Sequence, residues 1–136
     1  MVASPAYLVG HGVPHAPGDL ARHNCLSLGQ QRGWVFRHPE TGQIDTLKVG
    51  GNFECNDGAV LHEWALAGRG LAWRSLWEVG RDLGEGRLTS VLDAWQAPPM
   101  GIHAVFPQRR HLPLRVRLFI DLLKENYSNP GYWELR

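Results

Sequence analysis

The chain has 136 residues, of which 43% are hydrophobic and 20% charged, and its formal net charge is +1. This composition provides enough apolar side chain for a packed core and excludes a disordered chain. It also lacks the basic stripe with which DNA-binding domains neutralise phosphates. The densest basic run, Arg109 and Arg110 followed by Arg115 and Arg117, is interpreted as the solvated side of a strand–helix junction.

Two cysteines, Cys25 and Cys55, do not make a disulfide scaffold. No apolar run approaches the ~18 residues that span a bilayer. The chain also does not open with a charged head, an apolar core and a small-residue cleavage site. The sequence therefore predicts a cytoplasmic domain that contacts no membrane.

The first part of the chain predicts short elements separated by breakers. Residues 2–8 begin apolar, but Ser4-Pro5 predicts a turn that stops any strand. A loop rich in glycine and proline follows over 10–18, and Asp19-Leu20 predicts a short helical turn. Residues 22–28 then predict a strand.

The next part predicts a hairpin. Two β-rich runs, 34–36 and 44–49, flank the turn-forming sequence 39–42. Gly50-Gly51 interrupts the pattern before a short strand at 53–55.

Two helices are predicted from their caps. Asp57 precedes apolar residues at helical spacing and is a good N-cap, with Gly68 or Gly70 as the stop. Residues 75–78 match the capping box S-x-x-E and start a second helix that ends at Gly84.

The remaining elements complete an α/β pattern. Strands are predicted at 71–73, 88–95 and 102–106, with a boundary at 97–99. A final helix is predicted over 114–127, with one apolar face formed by Val116, Phe119, Ile120, Leu123 and Tyr127. Strands that alternate with helices predict an α/β fold, into which a hairpin is inserted.

Short blocks in a fixed order resemble the effector-binding domain of LysR-type transcriptional regulators. The opening block, 2–25, contains the short patterns S-P-x-Y, G-x-P, P-x-D-L and H-x-C. The family has similar patterns in the same order at the start of its second lobe. The later blocks follow in the family's order: 34–36, 56–57, 65–72, 83–88, 91–92, 105–110 and 116–123. Any one block is weak, but together they cover about residues 2–127 and form a strong signal.

The resemblance implies a periplasmic-binding-protein-like (type 2) fold, in which two α/β lobes enclose a cleft for a small-molecule effector. Residues 1–97 then correspond to the second lobe, a mixed sheet flanked by helices. Residues 98–127 correspond to a strand and helix that return to an incomplete first lobe, and 128–136 to a C-terminal tail. The family regulates transcription and is not enzymatic, and the resemblance implies no cofactor.

The family's winged helix-turn-helix, its linker helix and the opening half of its first lobe have no counterpart in this sequence. We therefore expect a truncated effector-binding domain that does not bind DNA specifically by itself. Since half of the polar contacts would come from the first lobe, we expect weak effector binding. Micromolar affinity for a small metabolite, measured by calorimetry, would contradict this expectation.

Ligands of open α/β sheets lie beyond the carboxyl ends of strands, where loops and helix N-termini converge. This rule selects nine candidate effector-binding residues: Ser4, Pro5, Ser27, Asn56, Asp57, Gly58, Trp73, Phe106 and Pro107. The backbone N–H groups of Gly58 and Ala59 suit an anion. The Asp57 carboxylate competes for those donors, so a hydroxyl or amine on the effector suits Asp57 better. Two alternatives stay open: Asp57 only caps its helix, and Ser4 only holds a turn at the hinge.

Metal binding and nucleophilic catalysis are the rival hypotheses. His11 and His15 are four residues apart, and His23 and Cys25 form a close pair, but no second pair completes a zinc pattern. A Cys–His nucleophile would place Cys25 or Cys55 beside a histidine, whereas a buried apolar cysteine on a strand is the simpler interpretation. The sequence thus predicts no metal and no catalytic residue.

A stand-alone protein-interaction or oligomerisation module is the alternative function. The helix at 114–127 has a wide apolar face that would normally cover the first lobe. Without that lobe an exposed apolar face favours association. We therefore expect a homodimer, a domain swap or poor solubility, and a clean monomer in light scattering would argue against it.

Overall fold

The computed structural model describes residues 1–29, 33–95, 97, 103–105 and 112–129. It divides the chain into two compact units, 1–98 and 99–136. The assignment of residues 1–97 to a second lobe, and of the later residues to a returning strand, a helix and a tail, stays a prediction. Among the described residues no helix is both long and apolar enough to cross a membrane.

Within the described residues the strands are, in chain order, β1 (Val2–Ala3), β2 (Cys25–Leu28), β3 (Trp34–Arg37), β4 (Ile44–Leu47), β5 (Glu54–Cys55), β6 (Leu71–Ala72) and β7 (Thr89–Ser90). The α-helices are α1 (Pro5–His11), α2 (Gly58–Leu66), α3 (Leu76–Gly84) and α4 (Leu114–Tyr127). Two short 3-10 helices span Pro17–Arg22 and Asp93–Trp95. Helix α4 belongs to the second unit, and the other elements form the first.

The first unit is built on a five-stranded mixed sheet with the order β5-β2-β6-β1-β7. Strand β2 runs parallel to both β5 and β6, whereas β1 is antiparallel to β6 and β7. The carboxyl ends of β2, β5 and β6 therefore meet at one edge, which we call the carboxyl edge, and β1 ends at the opposite, amino edge. The predicted α/β fold, a mixed sheet flanked by helices, is confirmed.

Successive residues of each central strand supply two separate cores, because side chains alternate between the faces of a sheet. In β2, Cys25 joins the core on one face and Leu26 the core on the other. In β6, Leu71 and Ala72 divide in the same way. All four residues are fully buried, as expected for strands covered on both faces.

Helix α1 corrects the prediction of a turn and a loop after Ser4. The Ser4 hydroxyl accepts a hydrogen bond from the Tyr7 N–H at 3.3 Å and caps the helix. Pro5 occupies the first turn, where a missing N–H costs nothing. The helix ends at Gly12, which has a φ of +82° and donates its N–H to the Leu8 carbonyl.

The strand predicted over 88–95 is mostly absent. Of this predicted strand the structure contains only β7, which pairs with β1, and Leu92 adopts a left-handed φ of +57° before the 3-10 helix at Asp93–Trp95. The Ser90 hydroxyl donates to the Asp93 carboxylate, which favours a turn over an extended strand. The strand predicted over 102–106 is not found at 103–105, and its two ends lie outside the described residues.

The hairpin and the later helices agree with the sequence. Strands β3 and β4 pair antiparallel, with Trp34 opposite Leu47 and Arg37 opposite Ile44. Helix α3 shows the predicted capping box and ends at Gly84. Helix α4 has the predicted bounds, and Val116, Ile120, Leu123 and Tyr127 on its predicted apolar face are half-buried. Phe119 departs from that prediction because it is exposed.

A cluster of ionisable side chains centred on Asp82 links α2 to α3. Asp82 in α3 is only 6% exposed, and its Oδ2 lies 2.7 Å from Nε2 of His62 in α2. Its Oδ1 lies 2.6 Å from Nη2 of Arg87, an ion pair without hydrogen-bond geometry. A buried carboxylate of this kind is tolerated only because it is paired.

Replacing Asp82 by alanine is expected to lower the free energy of unfolding by about 2–3 kcal/mol. Loss of one partner from a fully buried pair costs about 3–5 kcal/mol, and the half-exposed Arg87 reduces that cost. Urea denaturation measures the difference. The exposed Glu63→Ala in α2 is the control and should change stability by less than about 0.5 kcal/mol. Equal effects of the two substitutions would show that the buried pair adds nothing.

Candidate functional site

The carboxyl edge gathers the segments that follow three parallel strands. Gly29 follows β2, Asn56 and Asp57 follow β5, and Trp73 and Arg74 follow β6. The Gly29 N–H donates to the Cys55 carbonyl at 2.5 Å, so the first two segments are held together. Helices α2 and α3 both begin at this edge, directly after β5 and β6, and bring their positive N-terminal ends to it.

Asp57 caps α2, as the sequence predicted. Its Oδ1 accepts hydrogen bonds from the N–H groups of Ala59 at 2.7 Å and Val60 at 3.4 Å. Asp57 and Asn56 are exposed, Gly58 is half-buried, and Ser27 is half-buried within β2. The structure therefore brings five of the predicted residues, Ser27, 56–58 and Trp73, to this edge or next to it.

Arg74 is the residue that sequence reasoning missed. Its side chain is only 8% exposed, and its Nη2 donates to Glu78 Oε1 at 2.6 Å. A Cβ atom built on Gly58 would lie 2.8 Å from Arg74 Nη2 and 2.9 Å from Nη1, so the guanidinium packs directly against the first residue of α2. The sequence did contain a signal for Arg74: it is a charged residue between the buried strand β6 and the capping box at 75–78, at the same edge as Asp57.

Glu78 gives Arg74 a fixed position. One carboxylate oxygen accepts from Arg74, and the other accepts from the Ser75 N–H at 3.3 Å within the α3 capping box. The Arg74 Nε is buried and donates to none of the residues that the structure describes. Arg74 and Glu78 therefore tie the N-terminus of α3 to that of α2, and one guanidinium nitrogen is left unsatisfied.

Ser4 and Pro5 lie away from the other predicted residues. Because β1 is antiparallel to β6, its carboxyl end lies at the amino edge. A Cβ atom on Gly68, which precedes β6, would lie 3.2 Å from the Ser4 hydroxyl oxygen. The structure thus separates Ser4 and Pro5 from Asp57 and Trp73. Phe106 and Pro107 lie outside the described residues.

Trp73 packs into an aromatic cluster. Its ring centroid is 5.7 Å from that of Trp34 and 5.1 Å from that of Phe36, the latter with edge-to-face geometry. Trp73 is half-buried, so part of its surface stays open. By contrast Trp77 and Leu76 in the first turn of α3 are 70% and 67% exposed. Trp77 is therefore a surface residue and not part of the core.

A second polar group lies at the amino edge and centres on Tyr7. The Tyr7 hydroxyl accepts from the Asn24 N–H at 2.9 Å and lies 3.2 Å from His23 Nδ1. The His11 ring stacks on Tyr7 with centroids 4.3 Å apart. Burial raises the pKa of the Tyr7 hydroxyl. In the part of the chain that the structure describes, no three His, Cys, Asp or Glu residues form a group that could hold a metal ion.

The stability of the fold is expected to fall on acidification because of His23. Burial, followed by the nearby charge of His11, lowers the pKa of His23 from its ordinary 6.5. Below pH 6.5 the unfolded chain binds a proton that folded His23 resists, so stability falls as the pH drops from 6.5 to the folded-state pKa. Denaturation at several pH values, with His23→Gln as the comparison, measures this. Identical pH profiles for both proteins would contradict it.

Cys25 does not behave as a reactive thiol. It is fully buried, and burial raises the pKa of its thiol to about 12. A thiol with such a pKa is almost entirely protonated at neutral pH and is a poor nucleophile.

The comparisons with known proteins agree with this architecture. The family model for the LysR substrate binding domain matches residues 1–128. The regulator PtxR of Pseudomonas aeruginosa is 33% identical over 96% of this chain and 42% of its own length. The regulator DmlR of Escherichia coli is 30% identical over 94% of this chain and 42% of its own length. The chain thus spans less than half of these curated relatives.

Solved structures show the same fold. The regulatory domain of AphB from Vibrio vulnificus superposes with a TM-score of 0.74 at 28% identity, over 91% of this chain and 62% of that one. The regulatory domain of CrgA from Neisseria meningitidis gives a TM-score of 0.75 at 30% identity, with the same coverage. The fold is an α/β fold of the periplasmic-binding-protein type. The chain belongs to the LysR substrate-binding domain family, whose relatives here are bacterial transcriptional regulators and not enzymes.

Proposed function

We propose that this chain senses a small-molecule effector at its carboxyl edge, as the second lobe of a two-lobe sensor in a LysR-type regulator. One observation carries the proposal: the ends of β2, β5 and β6 and the N-termini of α2 and α3 converge on this edge. Ligands of α/β sheets bind at such edges because loops and helix N-termini offer directed polar groups there.

The edge supplies one wall of a binding site. Asn56, Asp57 and Trp77 are exposed on it, whereas a tight pocket buries 70–90% of its ligand's surface. A facing lobe is therefore needed for high affinity. For the isolated chain we expect dissociation constants of about 1 mM, equivalent to roughly −4 kcal/mol.

A thermal-shift screen of amino acids, organic acids and polyols at about 10 mM tests the proposal. At tenfold excess over the dissociation constant a bound compound adds about 1.4 kcal/mol, enough to raise Tm by a few degrees. We expect a subset of the library to stabilise the chain. A screen in which no compound raises Tm would contradict the proposal.

Asp57→Asn separates ligand contact from helix capping. Asparagine caps helices as well as aspartate does, so the substitution removes a charge at the edge and leaves the α2 cap in place. We expect unchanged stability without ligand and a smaller ligand-induced rise in Tm. The matched control is Glu40→Gln in the exposed turn between β3 and β4, which should respond to ligand as the parent does.

We propose self-association through α4 as a second candidate function. Leu114, Leu118 and Leu122 are each more than half exposed and stand four residues apart, so they form one apolar stripe. Multi-angle light scattering should detect a dimer, and Leu118→Glu should shift it toward monomer, whereas Lys124→Glu should not. A parent protein that stays monomeric across concentrations would exclude this candidate.

A further inference from the structure

The position of Arg74 assigns a chemical class to the effector. We infer that the carboxyl edge takes a small carboxylic acid that also bears a hydroxyl or amine group. Arg74 and the Gly58 N–H hold the carboxylate, and the free oxygen of Asp57 accepts a hydrogen bond from the hydroxyl or amine. This inference rests on the proposed function and specifies the ligand of the same site.

Arg74 is built into the edge and does not belong to a solvated surface. Its side chain is more than nine-tenths buried, and Glu78 is its hydrogen-bonding partner among the described residues. That pair uses one nitrogen of a guanidinium that carries five N–H donors. The Nε is buried, and no side chain or carbonyl in the described part of the chain accepts from it. The charge of Arg74 is paired with Glu78, but its donors are only partly used, which favours a ligand that accepts from the remaining terminal N–H groups.

Gly58 brings the guanidinium and the helix end together. Both terminal nitrogens of Arg74 lie where a side chain at position 58 would begin. The Asp57 side chain caps the N–H groups of Ala59 and Val60, which leaves the Gly58 N–H as the uncapped donor of the first turn. A carboxylate at this point meets a guanidinium and a helix N-terminus at once.

The charges around Arg74 exclude a simple anion as the best ligand. Glu78 already pairs with the Arg74 guanidinium, and exposed Asp57 adds a second carboxylate to the same edge, so a ligand that carries only a negative charge would be repelled by Asp57. The cap uses Oδ1 of Asp57, and Oδ2 stays available as an acceptor. A hydroxyl or ammonium next to the carboxylate turns that repulsion into a hydrogen bond.

Titrations of the full chain followed by amide chemical shifts test the inference with matched compounds. Lactate is compared with propionate, which lacks the hydroxyl, and with lactamide, which lacks the charge. Malate is compared in the same way with succinate and malamide, and alanine with propionate and alaninamide. We expect at least one hydroxy or amino acid to bind about tenfold more tightly than both of its analogues, with the Gly58 amide among the shifted signals.

Two substitutions test whether Arg74 causes the preference for acids over amides. Arg74→Lys keeps a charge for Glu78 but loses the planar fork, and it should weaken acid binding about tenfold without changing the binding of the amides. Gly58→Ala keeps every charge and displaces the guanidinium, so it should weaken the acids as well. Arg81→Gln, which removes an exposed ion pair with Glu85, is the control and should bind as the parent does.

The assigned effector class can be wrong while the proposed effector edge is right, and the titrations distinguish the two cases. If the amides, or the acids that lack a hydroxyl or amine, shift the carboxyl-edge signals as strongly as the hydroxy and amino acids do, the assigned effector class is wrong. The proposal that an effector binds at the carboxyl edge is then still supported. The class is also wrong if the Arg74→Lys and Gly58→Ala variants keep the full preference for the acid. If no compound of the panel shifts any signal at the carboxyl edge, the class is overturned, and the broader thermal-shift screen decides the proposed function on its own.

Discussion

Replacing Trp34 by alanine should lower the free energy of unfolding by about 3–5 kcal/mol, the cost of removing a large aromatic side chain from a packed core. Trp34 is 1% exposed, and its ring packs against Trp73 in the cluster that joins the β3–β4 hairpin to the sheet. No described residue accepts a hydrogen bond from its indole N–H, so the whole contribution comes from packing. The substitution should therefore leave a cavity and loosen the hairpin.

Trp77→Ala is the matched control for this prediction. The same atoms are removed from a side chain that is 70% exposed, so stability should change by less than about 0.5 kcal/mol. Guanidinium denaturation of both variants gives the difference. A loss at Trp34 as small as that at Trp77 would mean that the hairpin does not pack on the sheet.

The Gly70→Ala substitution should destabilise the fold by about 3 kcal/mol, at the upper end for overpacking. Gly70 is buried directly before β6, and a Cβ atom there would overlap the backbone carbonyl of Asn24. That carbonyl also accepts the Leu71 N–H at 2.9 Å, so it cannot move away without breaking the β2–β6 pairing. The close approach of two backbones, and not a left-handed φ, requires glycine here.

Gly84→Ala provides the contrast. Among the described residues, nothing lies within 4 Å of a Cβ atom at this end of α3, so alanine should be neutral or stabilise by up to about 1 kcal/mol through its higher helix propensity. Thermal unfolding of the two variants should move Tm in opposite directions or leave Gly84→Ala unchanged. Equal destabilisation by both variants would contradict the backbone contact at Gly70.

Local signals in the sequence predicted most of the first unit because caps and turns act over a few residues. The Asp57 cap, the capping box at 75–78 and the turn between β3 and β4 each specify their element without tertiary help. Helix α1 was missed because Pro5 was interpreted as a breaker, although proline is favoured in the first turn of a helix. The extent of β7 was overestimated because the alternating pattern over 88–95 does not show the turn at Leu92, which the hydrogen bond between Ser90 and Asp93 favours.

The candidate site was predictable only in part, because it depends on strand direction. Asp57 and Gly58 follow a strand that runs parallel to its neighbour, so the rule of carboxyl ends places them correctly at the edge. Strand β1 is antiparallel, and the same rule therefore misplaces Ser4. Arg74 contacts Gly58 across sixteen positions of sequence, and no local pattern reports such a contact.

The central claim is that ligand binds at the carboxyl edge. Amide chemical-shift mapping tests it most directly, with the compound that most stabilises the chain. The largest shifts should fall on the amides of Gly29, Gly58 and Arg74, which lie at the ends of β2, β5 and β6. The amides of His23 and Gly68 at the amino edge should stay unchanged. Shifts confined to the amino edge or to α4, with the carboxyl-edge signals unmoved, would contradict the account.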